Sequence, residues 1–148
     1  RSVQVTNEEI ISMVRGLVKR HHIHYDNDQM VLSKVTMNSS SIFVDLKGAG
    51  RTFCRIHNEH GMDHTNNRIY FRISKRNETI TQHCYDDGCK KLIHDTVIKS
   101  RVTRNIPGFI LSRLFSNTEK KNYRKTGDLV PNSDKHHDMI TYLYSIGK

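Results

Sequence analysis

RIYFRISKRNETITQHCYDDGC, residues 68–89, is the stretch that decides how this 148-residue chain folds. Arg68-Ile-Tyr-Phe-Arg-Ile73 and Thr79-Ile-Thr-Gln-His83 are rich in β-branched and aromatic residues, and Ser74-Lys-Arg-Asn-Glu78 between them is turn-forming, so the segment reads as a β-hairpin. Cys84 falls where the outgoing strand ends, and Cys89 closes a Cys-x4-Cys unit. The third cysteine, Cys54, precedes them in a stretch crowded with histidines. A short Cys-x4-Cys loop lets two thiolates face one ion while other donors arrive from an earlier hairpin, and Zn²⁺ favours thiolate and imidazole in a tetrahedron. An odd, clustered cysteine count without a signal peptide argues against a disulfide framework. Three cysteines plus one histidine complete the shell. Spacing leaves that histidine open among His57, His60, His64, His83 and His94. Cys54-x2-His57 makes a tight chelate loop, so the residues alone favour His57 or His60, whereas His64 demands a nine-residue excursion.

Working outward, residues 30–37 (MVLSKVTM) and 41–46 (SIFVDL) read as a second pair of strands across Asn38-Ser-Ser, closed by Lys47-Gly-Ala-Gly50. Thr6-Asn-Glu-Glu9 has the form of a capping box, and Ile10, Met13, Val14, Leu17 and Val18 recur at helical spacing, which predicts an amphipathic helix over residues 7–20. Residues 92–99 fit a strand or a helix. Pro107-Gly108 punctuates, Phe109 to Leu114 fits a short helix, 117–133 is a polar linker, and Asp134 caps a terminal helix bearing Met139, Ile140, Leu143 and Tyr144. The expected fold is α+β: small antiparallel hairpins around a structural Cys3His zinc site, with flanking helices. The expected organisation is an N-terminal helix and first strand over 1–40, a zinc-binding module over 41–95, and a basic segment with short helices over 96–148. The two hairpins are expected to share little core, leaving the metal to hold them together.

The net charge of +9 is unevenly spread. Residues 1–53 carry 7 Lys/Arg against 5 Asp/Glu, residues 54–95 carry 7 against 6, and residues 96–148 carry 10 against 4. A basic excess beyond the cysteines attracts polyanions through counterion release, which favours nucleic acid. No apolar run approaches a membrane span, so no membrane partner is expected and the chain reads as intracellular. It begins at Arg1, which suggests a piece of a longer protein. A single alanine against 14 Ile and 11 Asn suggests an A+T-rich coding genome, as in large DNA viruses.

Cys54, then His64-Thr-Asn-Asn67, then Ile69-Tyr-Phe, then Cys84-Tyr-Asp-Asp-Gly-Cys89 together resemble the zinc-binding module of the archaeo-eukaryotic primase superfamily. That family includes primase-polymerases (PrimPol), the herpesvirus primase subunit and large-DNA-virus primase-helicases. The resemblance spans about residues 41–90, and it includes the acidic residue at Asp86 and the 19-residue gap from His64 to Cys84. The stretch between Cys54 and His64 is longer than the family's, requiring an insertion around residues 59–62. The resemblance implies a single structural Zn²⁺ held by Cys54, His64, Cys84 and Cys89.

It further implies a module that is not catalytic alone and that supports primer initiation in DNA replication. Such a module grips a DNA template, a primer or an initiating nucleotide beside a parent primase catalytic domain, with a helicase as a further partner. The expected setting is the nucleus or a viral replication site. Asp26-Asn27-Asp28 is the only Asp-x-Asp spacing that resembles a two-metal polymerase pair, and its turn-like neighbours argue against that role. Phosphate-binding candidates are Arg68, Arg72, Lys75 and Arg76 on the hairpin and Lys90, Lys91, Lys99, Arg101 and Arg104 beyond the site. Tyr70, Phe71 and Tyr85 are candidates to stack bases, although strand alternation commits one of Tyr70 and Phe71 to the core. A zinc-stabilised protein-binding adaptor and an HNH-type metal nuclease built on His57, His60 and Asp63-His64 are the alternatives.

Overall fold

Leu32, Val35 and Met37 on one strand and Ile42, Val44 and Leu46 on the next are buried, which makes one face of the first hairpin apolar. In a computed structural model that describes residues 2–22, 24–25, 29–116, 140 and 143–145, this hairpin is β2 (Val31–Met37) and β3 (Ser41–Lys47). Asn38 closes it, its Oδ1 accepting from the Ser40 and Ser41 amides. A register shift between Leu32 and Lys34 keeps Leu32 and Val35 both inward, where strict alternation would send one of them out. The hairpin of residues 68–83 is β6 (Ile69–Ser74) and β7 (Thr79–Cys84), with Ile69, Phe71, Ile73 and Ile80 on the buried face. Phe71, not Tyr70, is the core aromatic.

The two hairpins are not separate bodies. β3 pairs antiparallel with β6, giving one six-stranded sheet in the order β1-β2-β3-β6-β7-β8, with short edge strands β1 (Val3–Gln4) and β8 (Thr103–Asn105). All its pairings are antiparallel, so the α+β expectation holds, while the expectation of two hairpins with little shared core does not. The apolar residues of both hairpins join helix α1 (Glu8–His21) in one cluster. Ile10, Met13, Val14 and Leu17 of α1 are at most 2 % exposed, and burying each side chain is worth about 1.5–3 kcal/mol. The helix starts one residue later than the capping-box reading: Asn7 is the N-cap, its Oδ1 accepting from the Ile10 amide at 3.1 Å.

Residues 92–99 resolve as the end of α2 (Asp87–Leu92) and the start of α3 (Thr96–Val102), and α4 (Gly108–Phe115) follows Pro107. Ile140 and Leu143 are buried in the shared core. The polar linker, the Asp134 cap and Asp26-Asn27-Asp28 lie outside the described residues. No described helix is long and apolar enough to cross a membrane.

His22 ends α1 inside the fold. Its Nδ1 accepts from the His24 amide (3.0 Å), so Nε2 carries the proton and donates to the Gly50 carbonyl (3.1 Å). Burial pulls its pKa down to about 4; the Gly50 bond opposes the shift, and the neighbouring His24, His21 and Arg55 reinforce it. The unfolded residue titrates near 6.5. Below that pH the unfolded chain takes up a proton that the folded chain refuses, so stability present above pH 6.5 is lost as pH falls toward 4. Urea unfolding between pH 7 and 5 should show stability falling toward a limiting slope of about 1.4 kcal/mol per pH unit for this residue, and His22→Gln should reduce that dependence. An unchanged slope in the variant would contradict this role.

Candidate metal centre

Antiparallel pairing carries the donors to one end of the sheet. β3 runs toward that end, β6 leaves from it (Asp45 opposite Tyr70), and β7 returns to it (Cys84 opposite Ile69). Between β3 and β6 the chain makes a separate two-stranded ribbon of β4 (Phe53–Cys54) and β5 (Met62–Asp63). The nine-residue excursion that made His64 seem distant is this ribbon. Phe53 pairs with Asp63 and Cys54 with Met62, so the residue after β5 comes back beside Cys54. The His64 amide donates to the Thr52 carbonyl (3.0 Å), and the Thr52 hydroxyl bonds the Asp63 carboxylate (3.1 Å). Gly61 makes the return at φ +89°, where a Cβ would collide with the Phe53 ring.

Cys54, His64, Cys84 and Cys89 therefore converge, each offering one donor atom with all four atoms within 4.8 Å of one another. This Cys3His group is close enough to hold a metal ion. The three cysteines are buried and free of disulfides. His57 and His60, favoured by chelate spacing alone, do not join it. The His57 ring lies 6.2 Å from the His64 ring, centroid to centroid, and His60 is exposed, with its amide bonded to the Asn58 side chain. His83 points to the opposite face of β7, stacked on Tyr70 at 5.2 Å, and His94 is exposed.

Groups around the donors supply hydrogen bonds to sulfur. The Ile56 amide donates to Cys54 Sγ and the Asp86 amide to Cys84 Sγ, both at 3.4 Å and both from two residues further along the chain. The Gln82 side-chain amide also donates to Cys54 Sγ (3.4 Å), while its carbonyl accepts from the Arg55 amide (3.2 Å). A glutamine 2 % exposed in the sheet core thus fixes the ribbon to β7. Asp86 is the N-cap of α2, its Oδ2 accepting from the Cys89 amide (3.2 Å), and its Oδ1 accepts from Asn67 (3.0 Å). One carboxylate so orients the turn bearing Cys89 and ties it to the loop after His64. The Cys89 bond draws the Asp86 carboxyl below its usual range.

Three thiols this close cannot all ionise without a cation. Hydrogen bonding from Cys84 draws the Cys54 thiol well down, helped by the backbone amides of His57 and Ile56 and opposed by burial. Cys84 is pushed up by that same bond and by burial, and Cys89 is pushed up by burial first and then by the Cys54 charge. The remaining protons must leave when a cation is bound, so metal retention weakens as pH falls.

The cationic candidates divide between two faces. Arg72, Lys75 and Arg76 lie on β6 and its turn, with Lys75 over the Phe115 ring. Lys99 is exposed on α3, Arg68 is exposed just before β6, Lys91 is exposed on α2, and Lys90 contacts Asp87 at 4.0 Å. Arg101 turns toward the ribbon, one guanidinium nitrogen donating to the Arg55 carbonyl (3.0 Å), and Arg104 donates to the carbonyls of Arg101 and Thr103. Arg55 and Gln82 were not evident from the sequence. Gln82 sits in a strand pattern that gives no sign of its sulfur contact, whereas Arg55, next to Cys54, carried a positional signal. Comparison with known protein families, with curated proteins and with solved structures finds no match to this chain.

Because the sheet has its own core, metal loss should loosen the ribbon and α2 and spare the rest. Hydrogen exchange on native protein treated with a chelator should show lost protection over residues 52–64 and 86–92, with β2, β3 and β6 still protected. Cys89→Ala should reproduce that pattern. Uniform loss of protection across the sheet would contradict it.

Proposed function

We propose that the chain is a zinc-stabilised module that binds nucleic acid and positions template, primer or initiating nucleotide for a primase. Two distances support zinc as the ion. A tetrahedron with Zn–S arms of about 2.3 Å and a Zn–N arm of about 2.05 Å has S–S edges near 3.8 Å and S–N edges near 3.5 Å. Cys54 Sγ and Cys89 Sγ lie 3.8 Å apart, and Cys89 Sγ lies 3.5 Å from His64 Nε2. With all four positions filled by side chains, the ion has no open place for a reacting water, and its contribution is to hold the ribbon against β7.

The observation that carries the binding role is a group of like charges beside this centre. Burial first, and then the charges of nearby Arg104 and Arg101, lower the pKa of Arg55, which directly follows Cys54. None of the three is in an ion pair with a carboxylate among the described residues. Clustered guanidinium groups repel one another, and a polyanion relieves that repulsion while releasing its own counterions. The resemblance of the Cys54–Cys89 motif to primase zinc modules supports the narrower role. Initiation joins two weakly held nucleotides, so an additional hold on one of them lowers the entropic cost of alignment, whereas an annealed primer is already positioned by pairing.

Binding of a single-stranded oligonucleotide should fall with salt at a log–log slope of about −0.7 per phosphate neutralised. Arg55→Gln with Arg104→Gln should flatten that slope without changing zinc content measured by elemental analysis. An unaltered slope would remove this cluster from the interface. In a polypeptide carrying this module with its polymerase, Cys89→Ala should abolish primer synthesis from single nucleotides while sparing extension of a supplied primer. Equal loss of both would contradict the initiation role.

A further inference from the structure

Sheet register places a second set of residues on the face opposite α1. Phe43, Arg72, Thr81 and Thr103 are paired across β3, β6, β7 and β8, and Asp45, Tyr70 and His83 form the adjacent row. Where α3 lies over β7, this face forms a groove of about 600 Å³ lined by Arg72, Thr81, His83, His94, Lys99 and Thr103 among other polar residues. That volume is in the range of small-ligand sites.

The lining differs from an ordinary solvated sheet face in its charge. It contains Arg72 and Lys99, several hydroxyls and no carboxylate. The nearby acids are committed elsewhere: Asp45 Oδ1 accepts from the Tyr85 hydroxyl (2.6 Å), and Asp95 Oδ1 accepts from the Val97 and Ile98 amides as the N-cap of α3. Among the described residues neither Arg72 nor Lys99 is in an ion pair. Arg72 is held in place by the Ser41 hydroxyl, which accepts from its guanidinium at 3.2 and 3.3 Å. At the neighbouring end of the sheet, Tyr70 contacts both the His83 ring (5.2 Å) and the Tyr85 ring (4.6 Å), and Tyr85 is 45 % exposed. Cations and hydroxyls suit a phosphate, and an exposed aromatic beside them suits a base.

We propose that this groove is a nucleotide site, with a phosphate between Arg72 and Lys99 and the base against the Tyr70–Tyr85 pair. The choice of a nucleotide over other phosphate esters rests on the nucleic-acid reading above. The groove itself lies across the sheet from the Arg55–Arg101–Arg104 cluster.

The test is titration of the metal-loaded chain with three probes: a labelled oligodeoxythymidylate, ATP and inorganic triphosphate. Arg72→Gln with Lys99→Glu should weaken binding of the productive probe by at least about tenfold, since two charge-assisted hydrogen bonds to the phosphate are removed. Lys99→Glu alone, a change at an exposed position, should reproduce part of that loss with the fold intact. Preference for the oligonucleotide would identify an internal strand phosphate, and preference for ATP the end of a free nucleotide. ATP binding lost in the groove variants, with no oligonucleotide binding in any form, would sink the nucleic-acid reading and leave the groove standing. Oligonucleotide binding that is lost with Arg55→Gln and Arg104→Gln but unchanged in the Arg72 and Lys99 variants would overturn the groove and leave that reading standing. Failure of all three probes to bind would also overturn the groove.

Discussion

The pairing of β3 with β6 is the constraint on which the remaining structure depends. It joins two hairpins, each marginal by itself, into a sheet wide enough to bury α1. It also sets the direction in which every connection leaves the sheet. The 47–69 segment must emerge and return at one end, which is also the end where β7 delivers Cys84. The metal centre follows from strand polarity before any donor chemistry is considered. A metal added to such a scaffold stiffens the periphery, and the sheet itself rests on apolar burial shared by strands far apart in sequence.

The strands of both hairpins and α1 were legible because their apolar residues repeat at periods of 2 and 3.6 over several turns or pairs. The pairing between the hairpins was not legible. Isolated periodicity says which face of a strand is buried but not against which neighbour, so Val44 and Phe71 carried no sign that they would lie opposite one another. The cysteines were readable from type and spacing. The fourth donor was not, because chelate arithmetic treats the chain from Cys54 to His64 as slack, while β4–β5 pairing folds nine residues into a ribbon that brings its ends together. The cap of α1 moved by one residue for a local reason: Asn7 competes with Thr6 for the same role, and asparagine is the stronger N-cap.

Alternation along β7 separates two chemistries by one residue. Cys84 faces the core side with Gln82 and Ile80, whereas His83 and Thr81 face the groove. The soft donors therefore lie in a largely buried setting fed by backbone amides, while the hydroxyls and cations are left on the solvent side. The same alternation commits Phe71 to the core and leaves Tyr70 beside His83. The aromatic run in β6 thus serves packing with one residue and the outer surface with its neighbour.

Hydrogen bonding to sulfur links the two levels. Of the amides that point at Cys54 and Cys84, that of Gln82 belongs to β7, which the sheet fixes, whereas those of Ile56 and Asp86 lie in the ribbon and in the turn after β7 that the ion would order. A donor held in place beforehand stabilises a thiolate without the cost of ordering it, so Gln82 is positioned to receive Cys54 when an ion closes the ribbon onto β7. Asp86 extends this arrangement outward, since one carboxylate caps α2 through Cys89 and holds the loop after His64 through Asn67. The acidic residue within the Cys-x4-Cys unit is therefore best understood as a spacer and clamp. Its removal would leave all four donors in the sequence yet free the two segments that must bring Cys89 and His64 together.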